Sequence, residues 1–217
     1  MAESRNKIDR RRVLIGKTIS NVVAKAPWAW PLIKRPVGRF FNGIAPGWDE
    51  RTGAGSVDHL SPLAAALTRV PSSPERVLDV GCGTGAGTFF LAREYPTARI
   101  RGLDLSEAMI AEANRKIGLD PEARIAFRVG DASKLPYPDQ NFDLVAQINM
   151  PVFFSEIDRV LRPGGHVAIT STSGPSTPFY TPHDLIEKRL TRLGITTVAT
   201  DTEGNGDWYL GRKEPSK

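Results

Sequence analysis

The chain has one cysteine, Cys82, in 217 residues. A single thiol excludes an internal disulfide framework and a cysteine-rich zinc site. Cys82 itself reads as a small space-filling residue rather than a nucleophile. Long apolar runs are missing as well: none approaches the ~20 residues that cross a bilayer as a helix. Histidine is scarce, with only His59, His166 and His183, so few neutral bases are on offer and no metal site is expected. There is no internal repeat. Acids are nearly absent from one region. Residues 1–40 hold ten Lys or Arg against Glu3 and Asp9, while the whole chain carries a net charge of +5. The basicity therefore belongs to an N-terminal arm, whose partner could be anionic lipid, nucleic acid or water alone. Arg10-Arg11-Arg12-Val13 invites an export reading. However, Lys17 and Asn21 interrupt the apolar segment that follows, and Pro27 comes directly after Ala24-Lys25-Ala26. A cytoplasmic location is expected instead.

What is present is organised around Val77-Leu78-Asp79-Val80-Gly81-Cys82-Gly83-Thr84-Gly85. Val77 to Val80 reads as a buried strand, the glycines as a tight turn, and Ala86 to Tyr95 as a helix. Glycines there let backbone amides approach a ligand closely, beside a helix N-terminus that favours a polar or anionic group. The spacing Gly81-x-Gly83-x-x-Ala86 also fits a dinucleotide fingerprint. Asp79 tips the balance, because an acid at that position repels a pyrophosphate and suits a cationic ammonium. Asp79, Gly81, Cys82, Gly83 and Gly85 are therefore candidate cofactor contacts. Asp104 ends the second strand, Arg99 to Asp104, where an acid can accept both hydroxyls of an adenosine ribose; Leu105 stands beside it.

The glycine stretch resembles the first motif of class I S-adenosylmethionine-dependent methyltransferases, and the likeness extends from Phe40 to Arg212. It implies methyl transfer as the activity and S-adenosyl-L-methionine as the cofactor, with Asp79 and the glycines at its methionine part. The implied fold is α/β and Rossmann-like: a seven-stranded sheet in the order 3-2-1-4-5-7-6, strand 7 antiparallel, helices on both faces, and an N-terminal helical arm. Gly130-Asp131-Ala132 resembles the adenine-side motif, which would put Asp131 at the exocyclic amine and Ala132 next to it. Leu135-Pro136-Tyr137 before Phe142-Asp143-Leu144, and the turn Arg159-Val160-Leu161-Arg162-Pro163-Gly164-Gly165, are further family features. Phe40 to Asp49 is similar to the leading segment of quinone-biosynthesis methyltransferases, with Trp48 where Tyr is usual. That segment would fold over the cofactor, and Trp48 would add a cation–π contact to the sulfonium. Gln147, on the fourth-strand tail, is a further candidate contact.

Two units follow: residues 1–55 as a basic, Trp-containing arm or lid, and residues 56–217 as the cofactor-binding domain. Residues 1–10 read as unstructured and Val13 to Ala26 as a helix. Pro27, Pro31 and Pro36 bar one continuous helix through the next stretch. Further helices are expected over Ser61 to Val70, Glu107 to Ile117, Val152 to Leu161 and Pro182 to Leu193, with a closing hairpin at Gly204-Asn205-Gly206. The fourth-strand tail has no Asn-Pro-Pro-Tyr/Phe motif, which disfavours a nucleic-acid base as acceptor. Ser171 to Pro182 is short for an inserted cap, so residues 1–60 are left to cover the acceptor. An apolar, cationic lid leans towards a small hydrophobic, lipid- or quinone-like acceptor. His59 and His183 are the candidates for a base; each alone is more often a surface or capping histidine. Trp28 and Trp30 fit either a membrane interface or a protein contact, leaving open peripheral membrane contact through residues 13–39 and a homodimer. Removing residues 1–35 is expected to leave the sheet folded and cofactor affinity intact. The rival readings are a nucleic-acid methyltransferase using the basic arm and an NAD-binding oxidoreductase.

Overall fold

The computed structural model describes residues 10–120 and 122–215; apart from Arg10, the stretch expected to be unstructured lies outside them. Seven strands form one sheet: β1 (Arg76–Val80), β2 (Arg99–Asp104), β3 (Ile125–Val129), β4 (Phe142–Ile148), β5 (Leu161–Ser171), β6 (Ile195–Glu203) and β7 (Gly206–Lys213). Their order is β3-β2-β1-β4-β5-β7-β6, as the resemblance implies. The first five run parallel to one another, and β7 runs antiparallel to both β5 and β6. The direction of winding reverses between β1 and β4, which opens a crevice at the carboxyl ends of these strands.

The central strands β1, β4 and β5 are mostly buried on both faces because helices cover both. Val77 and Leu78 are neighbours in β1 and point into different cores. Val77, Ile100 and Leu144 pack with Leu63 of α4 (Val57–Leu67) and Leu91 of α5 (Ala86–Glu94). Leu78, Leu103 and Val145 pack with Ile157 of α7 (Phe154–Val160) and Ile186 of α8 (His183–Thr191). This second core also takes in Val23 and Ala24 of α1 (Arg10–Lys25) and Trp30 of α2 (Trp30–Ile44). The arm is thus built into the domain's interior.

Three boundaries differ from expectation for local reasons. Helix α4 begins at Val57 rather than after Ser61, because Ser56 caps it by accepting from the His59 amide at 3.2 Å. The arm's prolines interrupt it less than their number suggests. Pro27 opens a short 3-10 turn, Pro27–Ala29, and Pro31 lies in the first turn of α2, where its missing N–H has no partner to lose. Only Pro36 lies inside the helix. Finally, β5 already starts at Leu161, so the proline–glycine turn is absorbed into the strand with a register shift against β4. Helix α6 (Glu107–Arg115) is capped by Ser106, as its sequence indicates.

Candidate active site

A cavity of about 900 Å³ lies at the carboxyl ends of β1, β2 and β4. Its floor is the glycine loop. Gly81 has φ +71°, and a Cβ there would sit 2.5 Å from Met150 Sδ, so a side chain would be strained and would displace Met150. Asp104 fastens the loop to β2: Oδ2 accepts from the Gly83 amide at 2.9 Å and Oδ1 from the Ser106 amide at 2.8 Å. Asp79 is buried on β1 and accepts from Thr88 Oγ1 of α5 at 2.6 Å. Gly87 lets that helix come close, since a Cβ there would lie 3.0 Å from Asp79 Oδ2.

Burial, with Thr88 opposing and Asp104 adding to it, pushes the Asp79 carboxyl up to about 7. Burial also raises Asp104, against the amides of Ser106, Gly83 and Leu105. Buried Asp79 and half-buried Asp104, each raising the cost of a second negative charge, favour a cation beside them. Cys82 lines the same floor, and burial raises its thiol well above the usual range, in keeping with an inert space-filler.

The roof comes from the arm. Trp30, Val37, Phe41 and Trp48 all face the cavity. The Phe41 ring meets the Trp48 ring at 6.0 Å and the Phe179 ring at 5.9 Å. The segment is clamped down at two points. Asn42 Oδ1 accepts from Ser106 Oγ at 2.6 Å. Asp49, at the start of α3 (Trp48–Thr52), accepts from Thr84 Oγ1 at 2.5 Å and from Lys116 Nζ, which also donates to the Thr84 carbonyl at 3.0 Å.

Residues 77–165 match the family model described as a methyltransferase domain. This match runs from β1 to the start of β5 and marks that part of the sheet, with its glycine loop, as a methyltransferase domain. A fatty-acid O-methyltransferase of Mycolicibacterium smegmatis is 42% identical over 103 residues, 44% of this chain and 36% of that protein. A demethylmenaquinone methyltransferase of Lactobacillus johnsonii is 41% identical over 110 residues, 46% of this chain and 45% of that one. The chain thus spans less than half the length of these two relatives. A putative methyltransferase of Haloferax volcanii, solved with the Trm112 methyltransferase activator, superposes with TM-score 0.67 at 19% identity, covering 80% of this chain and 97% of that one. This last likeness concerns the fold.

The cofactor of this class is S-adenosyl-L-methionine, and the methyltransferase domain's own residues fit it. The paired acids suit its cationic methionine part, and Asp104, at the β2 end, stands where a ribose is held. The dinucleotide reading gives way to this one. Trp48, Asp79, Gly81, Cys82, Gly83, Asp104, Leu105 and Ala132 lie on the cavity wall, and Gly85 caps α5 behind it with φ +90°.

Other expected contacts stand off the wall. Gly130 and Ala132 line it, but the Asp131 side chain turns to the arm: Oδ1 accepts from Trp30 Nε1 at 2.8 Å and from the Ser133 amide at 2.9 Å, and Oδ2 from Lys34 Nζ at 2.9 Å. Burial alone would raise this carboxyl, but the Lys34, Ser133 and Trp30 hydrogen bonds hold it below its usual value. Gln147 is buried within β4, its Nε2 donating to the Met150 carbonyl at 3.4 Å and its Oε1 without a partner. His183 sits 3.7 Å from Asp207 beside a separate small cavity. His59 does line the main cavity, where burial lowers its pKa against the pull of Asp49.

Sequence reasoning missed Asn149, Met150 and Phe179. Asn149 has φ +54°, and its side chain holds Thr172, accepting from the amide and donating to Oγ1, both at 2.9 Å. Its place after β4, where the family's acceptor-facing residues occur, was the available signal. Asp104→Ala should weaken S-adenosylmethionine binding by ~1–3 kcal/mol, because two loop amides lose their acceptor along with the ligand. Calorimetry on the purified protein reads this directly, and unchanged affinity would remove Asp104 from the site.

Proposed function

We propose that the chain transfers the methyl group of S-adenosylmethionine to a small, apolar acceptor of lipid or quinone type. The observation that carries this reading is the character of the cavity beyond the glycine loop: Val37, Phe41, Met150, Phe153 and Phe179 give it apolar walls, and its volume of about 900 Å³ leaves room beside a nucleoside-sized ligand. Relatives named for fatty-acid and demethylmenaquinone methylation support it.

The bound cofactor supplies a methyl already activated on a sulfonium. The protein's part is alignment and exclusion of water, which the clamped roof of residues 40–52 suits. A carboxylate acceptor needs no base. A hydroxyl acceptor does, and His59 is the histidine on the wall, kept neutral by burial and so able to accept a proton. In this reading residues 1–55 act as the lid and residues 56–217 as the catalytic domain. The enzyme works in the cytoplasm, with residues 13–39 in peripheral contact with a membrane, as a monomer or homodimer. Nucleic acid is disfavoured as acceptor because the wall beyond the loop is apolar rather than basic.

Incubation with methyl-labelled S-adenosylmethionine and a panel of long-chain fatty acids, a demethylated quinol and bulk RNA tests the reading. Label is expected in a lipid or quinol product. Label confined to RNA would overturn it. If the product is an ether, His59→Gln should lower kcat about 10²–10⁴-fold with little change in KM; if it is a carboxyl ester, the same variant should be near neutral.

A further inference from the structure

The outer face of helix α2 is exposed, apolar and basic at once. Trp28 is 77% exposed, Leu32 75% and Phe40 47%, and Pro36 between them is exposed too. Leu32, Pro36 and Phe40 recur every fourth residue along α2 and make one stripe, and Trp28 lies in the 3-10 turn that leads into it. Arg35 and Arg39 are exposed next to it. From Arg10 to Phe40 the chain holds eight Lys or Arg and no Asp or Glu. Trp30, two residues from Trp28, is 4% exposed and points the other way, into the core.

We propose that this stripe is a docking face for an anionic lipid surface, and that it feeds the acceptor side of the cavity. Large exposed apolar residues in a row are unusual on a soluble surface. Interleaved arginines disfavour a purely apolar protein partner and match acidic headgroups, where Trp and Phe rings also settle. The path inward is continuous. The exposed Phe40 ring meets Phe41 at 5.3 Å, and Phe41 meets Trp48 and Phe179, all three of which line the cavity. One helix therefore presents its outer side to lipid and its inner side to the site. What the face delivers rests on the methyl-transfer reading; the face itself does not.

The test uses the full chain and vesicles without any acceptor, so that it stands or falls apart from catalysis. Co-sedimentation with phosphatidylglycerol-containing vesicles is expected at low salt, with pure phosphatidylcholine binding much less. Arg35→Ala with Arg39→Ala should weaken it about tenfold or more, each cation being worth a several-fold factor near an anionic surface. Trp28→Ser with Leu32→Ser and Pro36→Ser should abolish it while cofactor binding, measured by calorimetry, is unchanged. Trp28→Phe should remove the vesicle-induced blue shift of tryptophan fluorescence. The proposal is overturned if the wild type ignores acidic vesicles, or if the triple variant binds them as well as wild type. It is equally overturned if the wild type runs as a dimer that the triple variant splits, because the stripe would then be a subunit interface. Loss of vesicle binding with methyl transfer to soluble acceptors intact upholds the face. Vesicle binding without transfer to any apolar acceptor upholds it while sinking the methyl-transfer reading.

Discussion

Binding of S-adenosylmethionine is expected to tighten about tenfold per pH unit from about pH 5 to about pH 7 and then to level off, one pKa unit being 1.36 kcal/mol. The cause is Asp79. Without ligand, burial holds its carboxyl protonated up to about pH 7, against an ordinary value of 3.8. A cationic ammonium needs the ionised form, so below pH 7 binding must expel a proton. The sign for stability is the reverse. The folded pKa lies above the unfolded one, so this group's contribution is full below the unfolded value and is lost as pH rises through about 7. Calorimetry across this range in buffers of different ionisation enthalpy would read both affinity and proton release. Asp79→Asn should flatten the profile and weaken binding at neutral pH. A wild-type affinity constant from pH 5 to 7 would mean that Asp79 meets no cation.

Trp30→Ala should cost ~3–5 kcal/mol of folding free energy, the scale for truncating a buried large aromatic. The side chain is 4% exposed, packs edge-on to Phe153 at 5.2 Å, and donates to Asp131. Trp30→Phe keeps the ring and removes the donor, and should cost only ~1–2 kcal/mol. Trp28→Ala is the contrast: that exposed residue should stay within ~0.5 kcal/mol. Urea midpoints of the three variants give the comparison, and equal midpoints for Trp28→Ala and Trp30→Ala would sink it. The truncation of residues 1–35 is affected by the same contacts. Sequence suggested that the sheet would be indifferent to it, but the deletion removes Val23, Ala24, Trp30 and Lys34, of which the first three are core. A strongly destabilised sheet is now expected.

The sheet was legible because its signals are local: an apolar run, then glycines or a proline turn, repeated at each strand. The strand order came from resemblance, since nothing in a strand's own residues names its neighbour. Asp79 and Asp104 were legible as lining the cavity because both lie at the carboxyl ends of parallel strands. Asp131 was harder. Its motif was plain, but its partners Trp30 and Lys34 lie a hundred residues away and no local pattern announces them. The two arm tryptophans had identical surroundings in sequence, Pro, Ala and apolar neighbours. Trp28 falls in the 3-10 turn and is exposed, whereas Trp30 opens α2 and is buried. The junction between the two elements decides that, and three nearby prolines obscured it.

The bond from Trp30 to Asp131 spans 101 residues, and the ribosome makes the donor first. At about 5–20 residues per second the arm emerges ~5–20 s before its acceptor. Throughout that interval Trp30, Val23 and Ala24 lack the completed core they close against, and Lys34 lacks the Asp131 carboxylate it pairs with. The strands β1 to β3 must assemble before the arm has a surface to lie on. The arm is thus made before the surface it packs on, and the roof of the site needs a sheet beneath it to close over.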